Sequence, residues 1–112
     1  GCAPIGWIFL MSSNKRIKCV DGFSMSVQAS KHNYCTPRID DATVYTEVEV
    51  GFPSAYESLL AAYADDNEDY VGTVYGWVPA DIITLVCVKH RGVISGEMPG
   101  GIPYLKADDN TD

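Results

Sequence analysis

The stretch GTVYGWVPADIITLVCVKHRGVISGE, Gly72 to Glu97, decides the fold. Thr73 to Val78 reads as a strand carrying Tyr75 and Trp77 on one side. Pro79 presets the first turn of a helix, and Asp81 complements its positive end. Lys89-His90-Arg91 complement the other end, and Gly92 supplies a left-handed stop. The interior, Ile82 to Val88, is largely β-branched, and propensity alone favours a strand. The end signals decide for a helix. Its apolar residues surround the axis, which predicts the most buried element of the chain. Val93 to Met98 then reads as a short last strand.

Upstream, Lys15 to Ala29 predicts two short strands about Asp21-Gly22. A three-residue loop, Val20-Asp21-Gly22, pairs Cys19 with Phe23 and Ile17 with Met25, which keeps one face apolar. A two-residue loop would set Lys18 opposite Met25. Ser30 to Asp41 has no period and reads as a long, chemically varied loop. Thr43 to Val50 alternates strictly, with Val44, Thr46, Val48 and Val50 inward and Tyr45, Glu47 and Glu49 outward. Ser54 followed by Glu57 resembles a capping box, predicting a helix to about Ala64 with Tyr56, Leu59, Leu60 and Tyr63 on one stripe. The acid run Asp65 to Asp69 opposes the dipole at that helix's end, so it reads as loop.

The expected fold is α+β: a small, mostly antiparallel sheet of four to five strands, with two helices packed on one face. Residues 15–98 form a single domain. Residues 1–14 are an N-terminal arm or a non-native extension, and 99–112 a loose acidic tail. The apolar run Ile5 to Met11 is far short of the ~20 residues of a membrane span, so no membrane role is expected.

The chain has 112 residues and a formal charge of −7, with 15 acidic and 8 basic side chains. A phosphate backbone repels such a chain, so no nucleic acid is expected and a basic protein surface is the natural partner. The same composition leaves a homo-oligomer open. The four cysteines have scattered spacing and read as reduced thiols.

Two cysteine–histidine pairs carry ligand-like spacing, His32-x-x-Cys35 in the long loop and Cys87-x-x-His90 on the helix. Together they would make a tetrahedral zinc set. Against this, Cys87 reads as core and His90 as a helix-terminal cation. Asp65-x-Asn67-x-Asp69 begins like a calcium loop, but Tyr70 stands where glycine is needed and Gly76 where glutamate is. A Cys35–His32 nucleophile and base would lack any residue to orient the histidine. No cofactor and no enzymatic activity are expected. An enzyme on a small ligand would instead need the Ser30–Asp41 loop to line a concave pocket. Tyr34, Arg38, Tyr45, Tyr75 and Trp77 fall on wet strand faces or in the loop, the composition of a protein-binding surface.

At Ser24 to Ala29, Tyr34 to Arg38, Val48 to Ser54, Gly72 to Pro79 and Lys89 to Gly92, the chain resembles a family of short uncharacterised phage and prophage proteins. The resemblance covers roughly Lys15 to Glu97. It implies a bacterial cytoplasm and an accessory role, and it assigns no catalytic residue. The expected function is therefore that of a small phage accessory protein acting by protein–protein binding, as an inhibitor of a host protein. A zinc-stabilised module is the alternative.

Overall fold

The computed structural model describes residues 14–107. Five strands, β1 (Ile17–Cys19), β2 (Ser24–Gln28), β3 (Glu47–Gly51), β4 (Val74–Pro79) and β5 (Val93–Ser95), form one sheet. Their order is β4-β3-β2-β1-β5, and every pairing is antiparallel. The α-helix α1 (Ala80–Lys89) carries the chain from one edge strand to the other. A 3-10 turn at Ala61–Tyr63 completes the regular structure of the described residues. The antiparallel α+β expectation is met, with one helix in place of two.

The β1–β2 hairpin follows the apolar face. Ile17 pairs with Met25, and the Cys19 N–H donates to the Phe23 carbonyl at 2.8 Å across the turn. Gly22 sits at φ +99°, a conformation that disfavours any side chain. Ile17, Met25 and Val27 point inward with Val48, Val50, Tyr75 and Val78, and Ile83, Val86 and Cys87 of α1 join the same buried cluster. Each fully buried Val, Leu or Ile contributes roughly 1.5–3 kcal/mol through removal from water.

The helix begins one residue later than a proline in the first turn would place it. Pro79 closes β4 and precedes the first helical residue, and the Ala80 N–H donates to the Thr46 carbonyl. At the other end Arg91, at φ +76°, takes the left-handed position before Gly92. The Gly92 N–H then reaches the Cys87 carbonyl and the Arg91 N–H the Val88 carbonyl, which closes the helix with a Schellman pair. The expectation of all-round burial fails: Leu85 and Val88 are 50% and 51% exposed.

The helix expected over Ser54–Ala64 does not form. Ser54 is held by β2 instead, its N–H donating to the Ser24 carbonyl and its Oγ accepting from the Ser24 N–H. With its hydroxyl oxygen taken by the Ser24 N–H, Ser54 does not cap a helix, and Glu57 is buried rather than reaching back toward Ser54.

Strict alternation also fails at two places, both by one residue. Tyr45 and Val48 are both buried, although they stand three apart, and Val44 is exposed. Thr43 to Thr46 lie outside β3, because Thr46 and Glu47 bridge to Thr36 and the Tyr45 N–H donates to Gly100. In β4, Tyr75 and Val78 are both buried at the same spacing, across a register shift opposite Val48–Val50.

Residues 99–107 are packed on the domain, which corrects the expectation of a loose tail from Pro99 onward. Ile102 is buried, and Val93 bridges in parallel to Lys106. A side chain at Gly100 or Gly101 would strike the backbone of Ala42, Thr43 and Val44. Residues 108–112 and the expected arm up to Ser13 lie outside the described residues. Asn14 itself is bound to Gln28 and Val27. Among the described residues no helix is long and apolar enough to cross a membrane.

Candidate functional site

The irregularity in β4 builds the first candidate site. Trp77 occupies a left-handed conformation at φ +50°, which costs a non-glycine residue about 1 kcal/mol or more. The extra residue turns the strand so that Tyr75 and Val78 face the core and Trp77 faces out, 47% exposed. Its N–H donates to the Tyr34 carbonyl at 3.0 Å. The two rings stack with centroids 4.9 Å apart and planes 27° from parallel. Tyr34 can approach because residue 76 is glycine; a Cβ there would lie 3.3 Å from the Tyr34 Cβ. The Arg38 guanidinium sits 5.4 Å from the Tyr34 ring centroid, within cation–π range.

The long loop is tied down from below. The Tyr34 N–H donates to Glu49 Oε1 at 2.9 Å, and Thr36 Oγ1 donates to Glu47 Oε1 at 2.6 Å. The Thr36 N–H and carbonyl pair with Glu47 and Thr46. The loop therefore lies along β3 and reaches across to β4, rather than standing off the sheet as the wall of a pocket.

Three of the five expected surface residues, Tyr34, Arg38 and Trp77, are thus brought together. Tyr45 and Tyr75 are not part of that surface. The Tyr45 hydroxyl donates to the Ile39 carbonyl and accepts from the Ala42 N–H. The buried Tyr75 hydroxyl donates to the Tyr70 carbonyl. Both tyrosines changed faces where the period slipped.

A second cluster escaped the sequence reading. His90 stacks on Phe23 at 4.1 Å, and both its ring nitrogens are bound to carboxylates. Nδ1 meets Asp21 Oδ2 at 2.6 Å and Nε2 meets Glu57 Oε1 at 2.5 Å. The other Glu57 oxygen accepts from Lys89 Nζ at 2.7 Å and from the Leu59 N–H at 2.9 Å. Burial favours neutral imidazole at His90, but the bonds to Glu57 and Asp21 and their charges outweigh it and raise its pKa. Burial likewise works against ionised Glu57, and the bonds from Lys89, Leu59 and His90 reverse this and lower its pKa. Asp21 is lowered by the Phe23 N–H and then by His90. A shallow cleft of about 300 Å³ opens beside the cluster, lined by Asp21, Gly22, Phe23, Ser54, Ala55 and His90. With both ring nitrogens engaged, His90 offers the cleft no free base, so the cluster acts as a clamp. The sequence signal for it is His90 between Lys89 and Arg91, while the capping-box spacing of Ser54 and Glu57 points that glutamate elsewhere.

The proposed zinc set does not assemble. Cys35 Sγ is bonded to the Ser30 carbonyl at 3.1 Å, and burial pushes its thiol pKa up. Cys87 is buried, and its hydrogen bond with Cys19, together with burial, holds its thiol protonated. His90 is committed to carboxylates, and His32 is exposed in the loop. Among the described residues no three His, Cys, Asp or Glu side chains converge as metal ligands. The raised thiols also make poor nucleophiles. Cys19, Cys35 and Cys87 are free thiols.

Comparison with protein-family models, with curated proteins and with solved structures gives no match to this chain.

Proposed function

We propose that the protein acts by binding another protein through the Tyr34–Trp77–Arg38 surface. The observation that carries this reading is the left-handed backbone of Trp77. A strained, non-glycine residue at a bulge holds a large aromatic ring out of the core, where burial would otherwise favour it. Exposed tryptophan, tyrosine and arginine held in place by the backbone are the residues that dominate binding energy at protein interfaces. Stacking on Tyr34 limits the freedom that Trp77 loses on binding. The net charge of −7 and the flanking Glu47 and Glu49 favour a partner with a basic face. The sequence resemblance supports a phage or prophage accessory protein working in a bacterial cytoplasm, with a host protein as its target and inhibition as the outcome.

The test is a paired capture from bacterial lysate with wild type and Trp77→Gly. Glycine relieves the backbone at φ +50° by about 1 kcal/mol, and loss of the ring stack costs about 0.5–1.5 kcal/mol. The fold should therefore survive. Wild type should retain a stoichiometric partner, and Trp77→Gly should bind it at least ~30-fold more weakly, the scale of a hot-spot loss. Recovery of no partner by wild type, or equal recovery by the variant, removes the proposal.

A further inference from the structure

The outer face of α1 is apolar and uncovered among the described residues. Asp81, Leu85 and Val88 follow one another at helical spacing on that face, and all three are exposed. Pro103 accepts a hydrogen bond from Thr84, and Leu105 lies against Gly92. These contacts hold the 103–105 segment against Thr84 and the residue after the helix, with Tyr104 and Leu105 half-exposed. The patch is separate from the Tyr34–Trp77 surface, which belongs to β4 and the long loop.

The charge pattern of the helix says what fits there. Leu85 stands four residues from Asp81 and four from Lys89. When two such helices pack antiparallel about a two-fold axis at Leu85, Asp81 of each meets the last turn of the other. That turn carries Lys89, half-exposed beyond its bond to Glu57, followed by Arg91. The positive end of each helix dipole also meets the negative end of its neighbour. A surface complementary to itself in this way is the requirement for an isologous dimer. We infer that α1 is the contact of a homodimer, formed by antiparallel packing of its Asp81–Leu85–Val88 face against the same face of a second copy. The apolar area is small for a stable interface, so the dimer is a weak one, populated in the micromolar range and above.

Sedimentation velocity over a concentration series tests this with wild type, Leu85→Lys and Asp81→Lys. Wild type should shift from monomer to dimer. Leu85→Lys should stay monomeric across the series, and Asp81→Lys should weaken dimerisation about tenfold. A circular-dichroism melt confirms that each variant is folded, as expected for substitutions at exposed positions. Geometry is read separately with Leu85→Cys and Val88→Cys, each in a Cys2→Ser background. Mild oxidation should cross-link the first to itself far faster than the second, because only residue 85 lies on the axis. Wild type that remains monomeric throughout, a dimer indifferent to Leu85→Lys, or equal cross-linking at both positions overturns the inference. Retention of wild-type monomer on a lysate protein through Leu85 would assign the face to a different partner and also overturn it.

Discussion

At the scale of single residues, two left-handed side chains mark different uses of strain. Trp77 holds its conformation at the candidate site, where glycine would remove the exposed ring. Arg91 holds the same region at a helix terminus, where its backbone closes the helix. Arg91→Gly should therefore raise stability by about 1 kcal/mol, seen as a higher urea midpoint with an unchanged slope. Gly96 illustrates the reverse. Its φ is +119°, and a Cβ would stand 2.5 Å from the Arg16 carbonyl oxygen and 2.7 Å from the Ile17 Cα. Gly96→Ala should cost more than about 2 kcal/mol, because both backbone strain and a backbone clash oppose it. Denaturant unfolding measures both changes.

At the scale of elements, the Asp21–His90–Glu57–Lys89 clamp ties together the β1–β2 turn, the end of α1 and the segment after Ser54. Its charges give it a defined pH response. His90 is raised above its ordinary 6.5 by its two carboxylates. Its contribution is full below 6.5 and is lost as pH rises through the raised value. Glu57 is lowered from 4.5 and Asp21 from 3.8. Their contributions are present above those ordinary values and are lost as pH falls through the depressed ones. Stability should therefore peak between about pH 4.5 and 6.5 and decline on both sides. Cys19, whose thiol pKa is lowered chiefly by its hydrogen bond with Cys87, the protonated Cys87 thiol, Arg91 and Lys89 complete the titratable surroundings. His90→Gln should flatten the alkaline decline specifically, which thermal melts across pH would read. An alkaline limb unchanged by that substitution would assign it to other groups.

At the scale of the whole molecule, the acidic chain should meet a basic partner by electrostatic steering. Raising ionic strength from about 50 to 500 mM should slow association by roughly tenfold, with a smaller effect on dissociation. Stopped-flow or surface-based kinetics with the captured partner would show it. The same scale explains which elements were legible. The hairpin register followed from Ile17, Cys19, Phe23 and Met25, because a one-residue slip would have exposed all of them. The ends of α1 followed from Asp81, Lys89 and the glycine beyond. Tyr45 and Tyr75 were misplaced because sequence period carries no sign of an inserted residue. The shifts depend on Thr36 bridging to Glu47 and on Tyr34 bonding to Trp77, contacts between distant parts of the chain.

The sequence by itself determined the α+β class, the hairpin and the polarity of α1, since each rests on local periodicity and end chemistry. It also singled out Tyr34, Arg38 and Trp77, the three residues on which the proposed binding surface rests. Only the tertiary structure decided that these three meet while Tyr45 and Tyr75 do not. It also decided that Glu57 leaves its apparent helix cap for His90. A capping box and a buried ion cluster call for the same glutamate, and the choice lay with Ser24, whose two hydrogen bonds to Ser54 occupy the capping hydroxyl and leave Glu57 free to turn inward.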